Sequence, residues 1–416
     1  MGTDKHGLLL GITTPIFRDA DGRMQMELQT VSGLYAWRQH FDKMTVFTIC
    51  HDQRPAPQGW TMIDHGQMAA DGITIVPLPD TYNRRIYLQK RREVADQLRV
   101  LMEQADYCTF GYGGWIGDPG EIAAATARQH AIPHAVWLDR VESQVVRSEG
   151  GNGLKNRMKT AVRATVIAYN ERRSVRAADL ALLHGATVFD HFKDCARNPH
   201  QVDDIHFTED DRADPAFVAD KADAADQGPL RILYCGRASP MKGGIDWLRV
   251  LVGLKQRGIA FTARWLGEGE LLNDMRAFAA TEGLTSEDLT LEGFVADRQI
   301  VRQAYRDAHL QLFCHQTDES PRNLIESLHS ATPLIGYRDF FAAELVDEKG
   351  AGLLVPRGQV DQLVDAVAGL DGDRAQLAQM IRNAGDSAAH LTREQVFRHR
   401  SEIIRRELPL MRHAGV

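Results

Sequence analysis

Thr317-Asp318-Glu319-Ser320-Pro321-Arg322-Asn323-Leu324-Ile325-Glu326 opens on an acidic pair and closes on a lone glutamate. The apolar run 310–314 ahead of it reads as a buried strand, and the apolar-periodic segment behind it reads as a helix whose first residue is Pro321. The acids therefore sit on a strand-to-helix turn, the place where open α/β sheets bind ligands. Upstream, the apolar run from Leu230 leads into Gly236-Arg237-Ala238-Ser239-Pro240-Met241-Lys242-Gly243-Gly244 and then into a helix that ends at Gly258. One turn is cationic and the other anionic.

The two turns suit the two ends of one molecule. Glycines beside a helix N-terminus let backbone N–H groups approach an anion, and the helix dipole adds to the attraction. Arg237 offers a planar fork and Lys242 a compact charge. Carboxylates accept hydrogen bonds from vicinal hydroxyls, and the N–H groups of Arg322, Asn323 and Leu324 are expected to open toward the ligand. A sugar nucleotide presents both chemistries. The Walker phosphate-loop spacing is absent, and so is the dinucleotide fingerprint: Gly267-Glu268-Gly269 supplies two glycines and Leu272 stands in place of the third.

Strand-like and helix-like segments alternate almost throughout. Strands are expected at 8–12, 45–50, 73–78, 107–112, 135–138 and 180–184, with helices at 24–41, 87–104 and 121–130 between them. The rhythm restarts at Leu230, with strands at 261–266, 289–293, 310–314, 333–337 and 352–355. A charged, helical tail follows over 373–408. Such alternation implies parallel sheets covered on both faces. Residues 207–228 are polar, acidic and Ala-rich, and read as a connection. The expected division is a Rossmann-like first domain over 1–206, an acidic linker over 207–228, a second Rossmann-like domain over 229–395, and a last helix over 396–416 that packs back on the first domain.

The 416 residues suffice for two ordinary domains, and 25% charged with 44% hydrophobic residues is average for a soluble protein. The formal charge of −7 speaks against nucleic acid as a partner. Acidic and basic residues balance up to residue 205, so the deficit lies downstream. Cys50, Cys108, Cys195, Cys235 and Cys314 have neither disulfide-framework nor zinc spacing. Met1-Gly2-Thr3-Asp4-Lys5-His6 lacks the apolar stretch of a signal peptide, and no apolar run reaches membrane-spanning length. A cytoplasmic protein is expected, with the inner face of the membrane as an alternative location.

The second half resembles the nucleotide-binding domain of the family-4 retaining glycosyltransferases, which have the two-domain GT-B fold. The likeness spans about residues 229–370. It rests on Gly236-Arg237 with Lys242-Gly243, on Leu266-Gly267-Glu268-Gly269, on Leu291-Glu292-Gly293-Phe294, on the acidic stretch ending at Glu326, on Thr332-Pro333-Leu334-Ile335-Gly336, and on the run from Gly350 to Val355. The resemblance implies an α/β protein of two doubly wound domains facing each other across a cleft. It further implies Arg237 and Lys242 on the diphosphate, Glu326 on the ribose, and Gly293, Phe294 and Val295 beside the base. The acid at the head of the motif would hold the donor hexose. The family separates its two acids by seven residues, which selects Asp318, whereas the residue type suits Glu319. No metal and no cofactor are implied, since cations of the protein replace the metal; the co-substrate is a nucleoside-diphosphate sugar, with UDP ahead of GDP. The reaction implied moves a hexose to a saccharide or lipid-linked acceptor in bacterial polysaccharide or glycolipid assembly. The same architecture also serves sugar-nucleotide epimerases and phosphorylases, and a non-catalytic nucleotide-sugar binder is a reading of another class.

Acceptor-side candidates follow strands of the first half: Trp115 and Asp118 in Tyr112-Gly113-Gly114-Trp115-Ile116-Gly117-Asp118, then Asp139, Arg140 and Glu142, then His184. Two basic segments also stand out: Arg84-Arg85 with Lys90-Arg91-Arg92, and the stretch from Lys155 to Arg176. The second fits either a core-facing helix with a solvated basic face or a helix lying on anionic lipid.

Overall fold

A computed structural model describes residues 6–57, 59–148, 154–205, 207–318 and 320–411. The chain divides into two compact units, one of residues 1–206 with 393–416 and the other of residues 207–392.

The second unit carries a six-stranded parallel sheet. Its spatial order is Leu289–Gly293, Phe261–Leu266, Leu230–Cys235, Leu310–Phe313, Leu334–Tyr337, Gly352–Val355. The strands are short apolar runs buried on both faces, as a helix-covered parallel sheet requires. The strand order reverses direction between Leu230–Cys235 and Leu310–Phe313. In a doubly wound sheet this switch point is where ligands bind. The cationic and the acidic turn leave these two strands.

The first unit has a ten-stranded sheet. Its parallel part runs Pro199–Val202, Leu180–His184, Ala135–Leu138, Tyr107–Gly111, Gly7–Gly11, Lys43–Asp52, with Ile73–Leu78 also paired to Lys43–Asp52. Two expectations fail here. The helix foreseen over 24–41 begins only at Leu28, because Met24–Glu27 is a strand that pairs antiparallel with Ile16–Arg18 and Trp60–Ile63. The helical tail over 373–408 is two helices, Arg374–Ser387 in the second unit and Arg393–Glu407 in the first.

The helix Arg393–Glu407 buries Phe397, Ile403 and Ile404 in the same core as Leu34 and Trp37. Its Arg400 is fully buried. The guanidinium lies 4.6 Å from the Trp137 ring and 4.8 Å from Phe397, donates through Nε to the Asp203 carbonyl at 2.6 Å, and pairs with Asp204 at 2.8 Å. A buried charge with this many partners fixes the helix to the sheet edge.

The expected acidic linker over 207–228 belongs to the second unit. Pro215–Asp223 is a helix capped by Asp214, and its Lys221 is buried. The Lys221 ammonium donates to the carbonyls of Tyr305 (3.2 Å) and Ser330 (3.1 Å) and to Thr332 Oγ1 (2.6 Å). The Ala213 N–H bonds the His329 carbonyl at 2.7 Å. The segment is acidic on its solvent side alone.

His329 is stacked on Phe207 and bonds the Leu391 carbonyl through Nε2 at 2.9 Å. Burial pushes its pKa from the ordinary 6.5 down to about 4. Between these values the unfolded chain binds the proton and the folded chain does not, so stability falls as pH drops through this window. The full loss is about 3 kcal/mol. Urea midpoints measured from pH 7 to pH 4 should decline for the wild type. In His329→Gln, which keeps a donor but cannot titrate, this component of the decline should vanish.

Candidate functional site

The cationic turn is built by close backbone approach. Gly236 N–H donates to the Leu266 carbonyl at 2.8 Å, and Ala238 N–H donates to Glu268 at 3.0 Å. These bonds lay the turn against Gly267-Glu268-Gly269. A Cβ on Gly267 would stand 1.9 Å from the Gly236 carbonyl oxygen, so no side chain fits there. Pro240–Lys242 forms one tight turn, and Gly243 then caps the helix Gly244–Gln256 with φ 66°, ψ 35°. Arg237 is exposed and Lys242 half-buried.

The acidic turn is docked onto the cationic one. Gln316 N–H donates to the Met241 carbonyl at 2.7 Å. The Gln316 side-chain amide donates to Cys314 O at 2.9 Å and to Asp246 at 3.0 Å, and Tyr337 OH donates to the same carboxylate at 3.0 Å. A Cβ on Gly243 would stand 1.9 Å from Cys314 O, so the contact is possible only with glycine. Further along, Asn323 Nδ2 donates to the Cys235 carbonyl at 2.5 Å, and Tyr305 OH donates to the Asn323 carbonyl at 3.3 Å. The helix Arg322–His329 is thereby pinned to the end of the strand that feeds Gly236-Arg237. It begins one residue later than expected, with Pro321 as its cap. Leu324 N–H is not open, because it donates to the Pro321 carbonyl at 3.2 Å, and the Leu324 side chain is buried in the core.

The charges interleave. Glu326 is half-buried, and its carboxylate adds to burial in holding the Tyr305 hydroxyl protonated; it also pushes up the Cys235 thiol, already raised by burial. Glu326 is thus beside the end of the strand Leu230–Cys235, close to Gly236-Arg237. Asp318 is exposed and pairs with Arg357, which follows the last strand of the sheet. His315 is buried and neutral, lowered first by desolvation and then by the charges of Lys242 and Arg357. Its Nε2 lies 2.9 Å from Tyr234 OH. Glu319 lies outside the described residues. On the other flank, Gly293 accepts from Gly267 N–H at 2.8 Å, Val295 is partly buried against the core, and Phe294 is 52% exposed. The phenyl ring therefore stands in solvent at a strand end.

Four buried polar atoms on the two turns have no hydrogen-bond partner among the described residues: Ser239 Oγ, Thr317 Oγ1, Ser320 Oγ and Asn323 Oδ1. Buried polar groups are nearly always satisfied, so a cluster of orphans marks a place for ligand or solvent atoms. None of Ser239, Thr317 and Ser320 was singled out from the sequence, nor were Arg357, His315, Gln316 and Asp246. Their shared signal is position, since each lies just past the C-terminal end of a parallel strand or on the helix that follows.

The acceptor-side candidates are not one constellation. Asp118 is 1% exposed and is a helix cap rather than a ligand-facing acid. It accepts from Glu121 N–H at 3.0 Å, Gly113 N–H at 3.1 Å and Tyr82 OH at 2.6 Å. The motif Asp118-Pro119-Gly120-Glu121 carried that capping signal. Trp115 packs on Val146, Ala164 and Ile167 beneath the Arg163 guanidinium, 4.9 Å away. Asp139 and Arg140 are exposed at a strand end, where Arg140 pairs with Glu142 at 2.6 Å. His184 is buried at the start of the helix Gly185–Phe192, and its Nδ1 has no partner among the described residues.

Residues 218–386 match the family model described as Glycosyl transferases group 1. The match spans both turns. A comparison with curated protein sequences found no match. Among solved structures, HepE of Anabaena in complex with UDP superposes with a TM-score of 0.66 at 14% identity, over 96% of this chain and 99% of that one. Sucrose-phosphate synthase from Thermosynechococcus elongatus does so at 0.63 and 12% identity, over 97% and 99%. WaaG, a glycosyltransferase involved in lipopolysaccharide biosynthesis, does so at 0.63 and 10%, over 95% and 99%. At such identities the likeness establishes the fold, which is that of the GT-B glycosyltransferases, with two parallel-sheet domains.

Gly243→Ala tests whether the junction of the turns builds the site. The new Cβ meets backbone in a left-handed conformation, at a cost of at least about 1 kcal/mol. The variant should melt lower than wild type and lose most of any stabilisation by UDP, whereas Gly258→Ala, in open space at a helix end, should lose stability alone.

Proposed function

We propose that the chain is a glycosyltransferase that moves a hexose from a nucleoside-diphosphate sugar to an acceptor hydroxyl with retention of anomeric configuration. The observation that carries the reading is the docking of the cationic turn on the acidic turn at the switch point of one sheet, inside the segment matched by the glycosyltransferase group 1 model. HepE structures with UDP and with UDP-glucose favour UDP as the carrier.

In this reading the diphosphate lies at the N-terminus of Gly244–Gln256, with Arg237 and Lys242 as its counter-charges. Glu326 accepts from the ribose hydroxyls. Asp318 or Glu319 holds the hexose, and Phe294 flanks the base. The acceptor oxygen attacks the anomeric carbon on the face from which the phosphate oxygen departs, and that oxygen takes the acceptor's proton. Charge grows on the leaving diphosphate as the bond breaks, so fixed cations there stabilise the transition state more than the ground state. They fill the role of a metal, and no cofactor enters the scheme. Asp318 reaches the sugar by exchanging its Arg357 contact, and an exposed ion pair of this kind is worth at most about 1 kcal/mol. A saccharide or lipid-linked acceptor in bacterial polysaccharide or glycolipid assembly, on the cytoplasmic side, is the setting we assign.

The test is a thermal-shift screen against UDP-, GDP- and ADP-sugars followed by turnover. A UDP-sugar should raise the melting temperature with concentration and release UDP only when an acceptor is present. Epimerised sugar from donor alone would overturn the reading. Arg237→Ala should raise the barrier by about 2–4 kcal/mol, seen in kcat. Glu326→Gln should act mainly on the donor KM.

A further inference from the structure

The helix Leu154–Ala177 of the first unit turns apolar surface outward. Ala164, Ile167 and Val175 are buried and hold one side of it against the unit. On another side Met158, Val162 and Tyr169 are 64%, 64% and 67% exposed. At 100° per residue these three fall within about 40° of each other, so they form one stripe along the helix. Beside the stripe, Trp115, Ile116, Met158, Val162 and Val166, with Lys159 and Arg163, line an open groove of about 460 Å³. Ile116 is itself 48% exposed. Single exposed apolar residues are ordinary, but a contiguous stripe with a groove marks a contact surface.

Charge identifies the occupant. The chain as a whole is acidic, at −7. Arg157, Lys159, Arg163, Arg172, Arg173 and Arg176 nevertheless stand on this one helix, and its sole acid, Glu171, is buried. Outward apolar groups flanked by cations, with no exposed acid among them, match the boundary between acyl chains and phosphate headgroups. We infer that this face docks on an anionic lipid bilayer, with Ile116, Met158 and Val162 entering the acyl boundary and Lys159 and Arg163 meeting lipid phosphates. The contact is peripheral, since among the described residues no helix is long and apolar enough to cross a membrane. The inference stands apart from glycosyl transfer, because no residue of either charged turn takes part in it.

Sedimentation with vesicles tests it. The full chain should pellet with vesicles of phosphatidylglycerol and phosphatidylcholine in equal amounts, lose that binding in high salt, and stay in solution with phosphatidylcholine alone. Each cation near an anionic leaflet is worth about fivefold, so Lys159→Glu with Arg163→Glu should lower partitioning by more than about tenfold. Met158→Asp with Val162→Asp should abolish it. Arg276→Glu, exposed on the second unit, should change nothing. An unchanged melting temperature for each variant separates docking from folding, and the assay needs no sugar donor. Wild-type protein that ignores the anionic vesicles, binds both vesicle types equally, or keeps binding after both pairs of substitutions overturns the inference.

Discussion

Everything at the switch point follows from where two neighbouring strands stop pairing. Leu230–Cys235 pairs with Phe261–Leu266 over its whole length, but with Leu310–Phe313 only at Ile232/Leu310 and Leu233/Gln311. Beyond Leu233 the two strands part, which exposes backbone that must find other partners. Asn323 supplies one at the Cys235 carbonyl, and the Trp247 indole supplies another at the Leu312 carbonyl, 3.1 Å away. The Gln316–Met241 bond then closes the opening from above. The two charged turns meet at this opening.

That geometry sets an electrostatic problem. Lys242 and Arg357 both act on His315, and together with burial they keep its ring neutral. Beside them, burial raises the Cys235 thiol and the Tyr305 hydroxyl, and Glu326 adds to that rise. Positive and negative side chains therefore stand side by side at one opening, Glu326 near Gly236-Arg237 and Asp318 against Arg357. A ligand with separated anionic and hydroxylic ends relieves both, which is a more specific demand than net charge makes. The orphaned hydroxyls of Ser239, Thr317 and Ser320 make the same demand for hydrogen bonds.

Much of this was legible from alternating apolar runs, because strands buried on both faces tolerate little else. Arg237, Lys242 and Glu326 were legible because a strand-to-helix turn leaves few places for a charge to point. Arg357 was not. It lies 39 residues from Asp318 and meets it only because the last strand, Gly352–Val355, pairs with Leu334–Tyr337, itself the neighbour of Leu310–Phe313. Residues 207–228 misled by composition, since an acidic, Ala-rich stretch looks solvated. A buried lysine with three acceptors and the Ala213–His329 bond fold it in, and no periodicity announces that. Asp118 was misread despite a capping signal in plain view. Glu27 and its neighbours read as the start of a helix because strand pairing with Trp60–Ile63 is a non-local event.

The two units solve the same backbone problem with different chemistry. In the second, the strand ends at the switch point carry Arg237, Lys242, Asp318 and Glu326. In the first, the corresponding strands Gly7–Gly11 and Tyr107–Gly111 end in glycines, and a Cβ on Gly111 would stand 3.0 Å from the Gly11 carbonyl. Backbone approach there is spent on packing, with Asp118 buried to cap the next helix. The first unit shares only the alternation of strand and helix, and its exposed chemistry has moved to the basic, apolar face of Leu154–Ala177. Fold and charge pattern are separable in this chain, since both units share the sheet and only the second carries Arg237, Lys242, Asp318 and Glu326 on the turns beside its switch point.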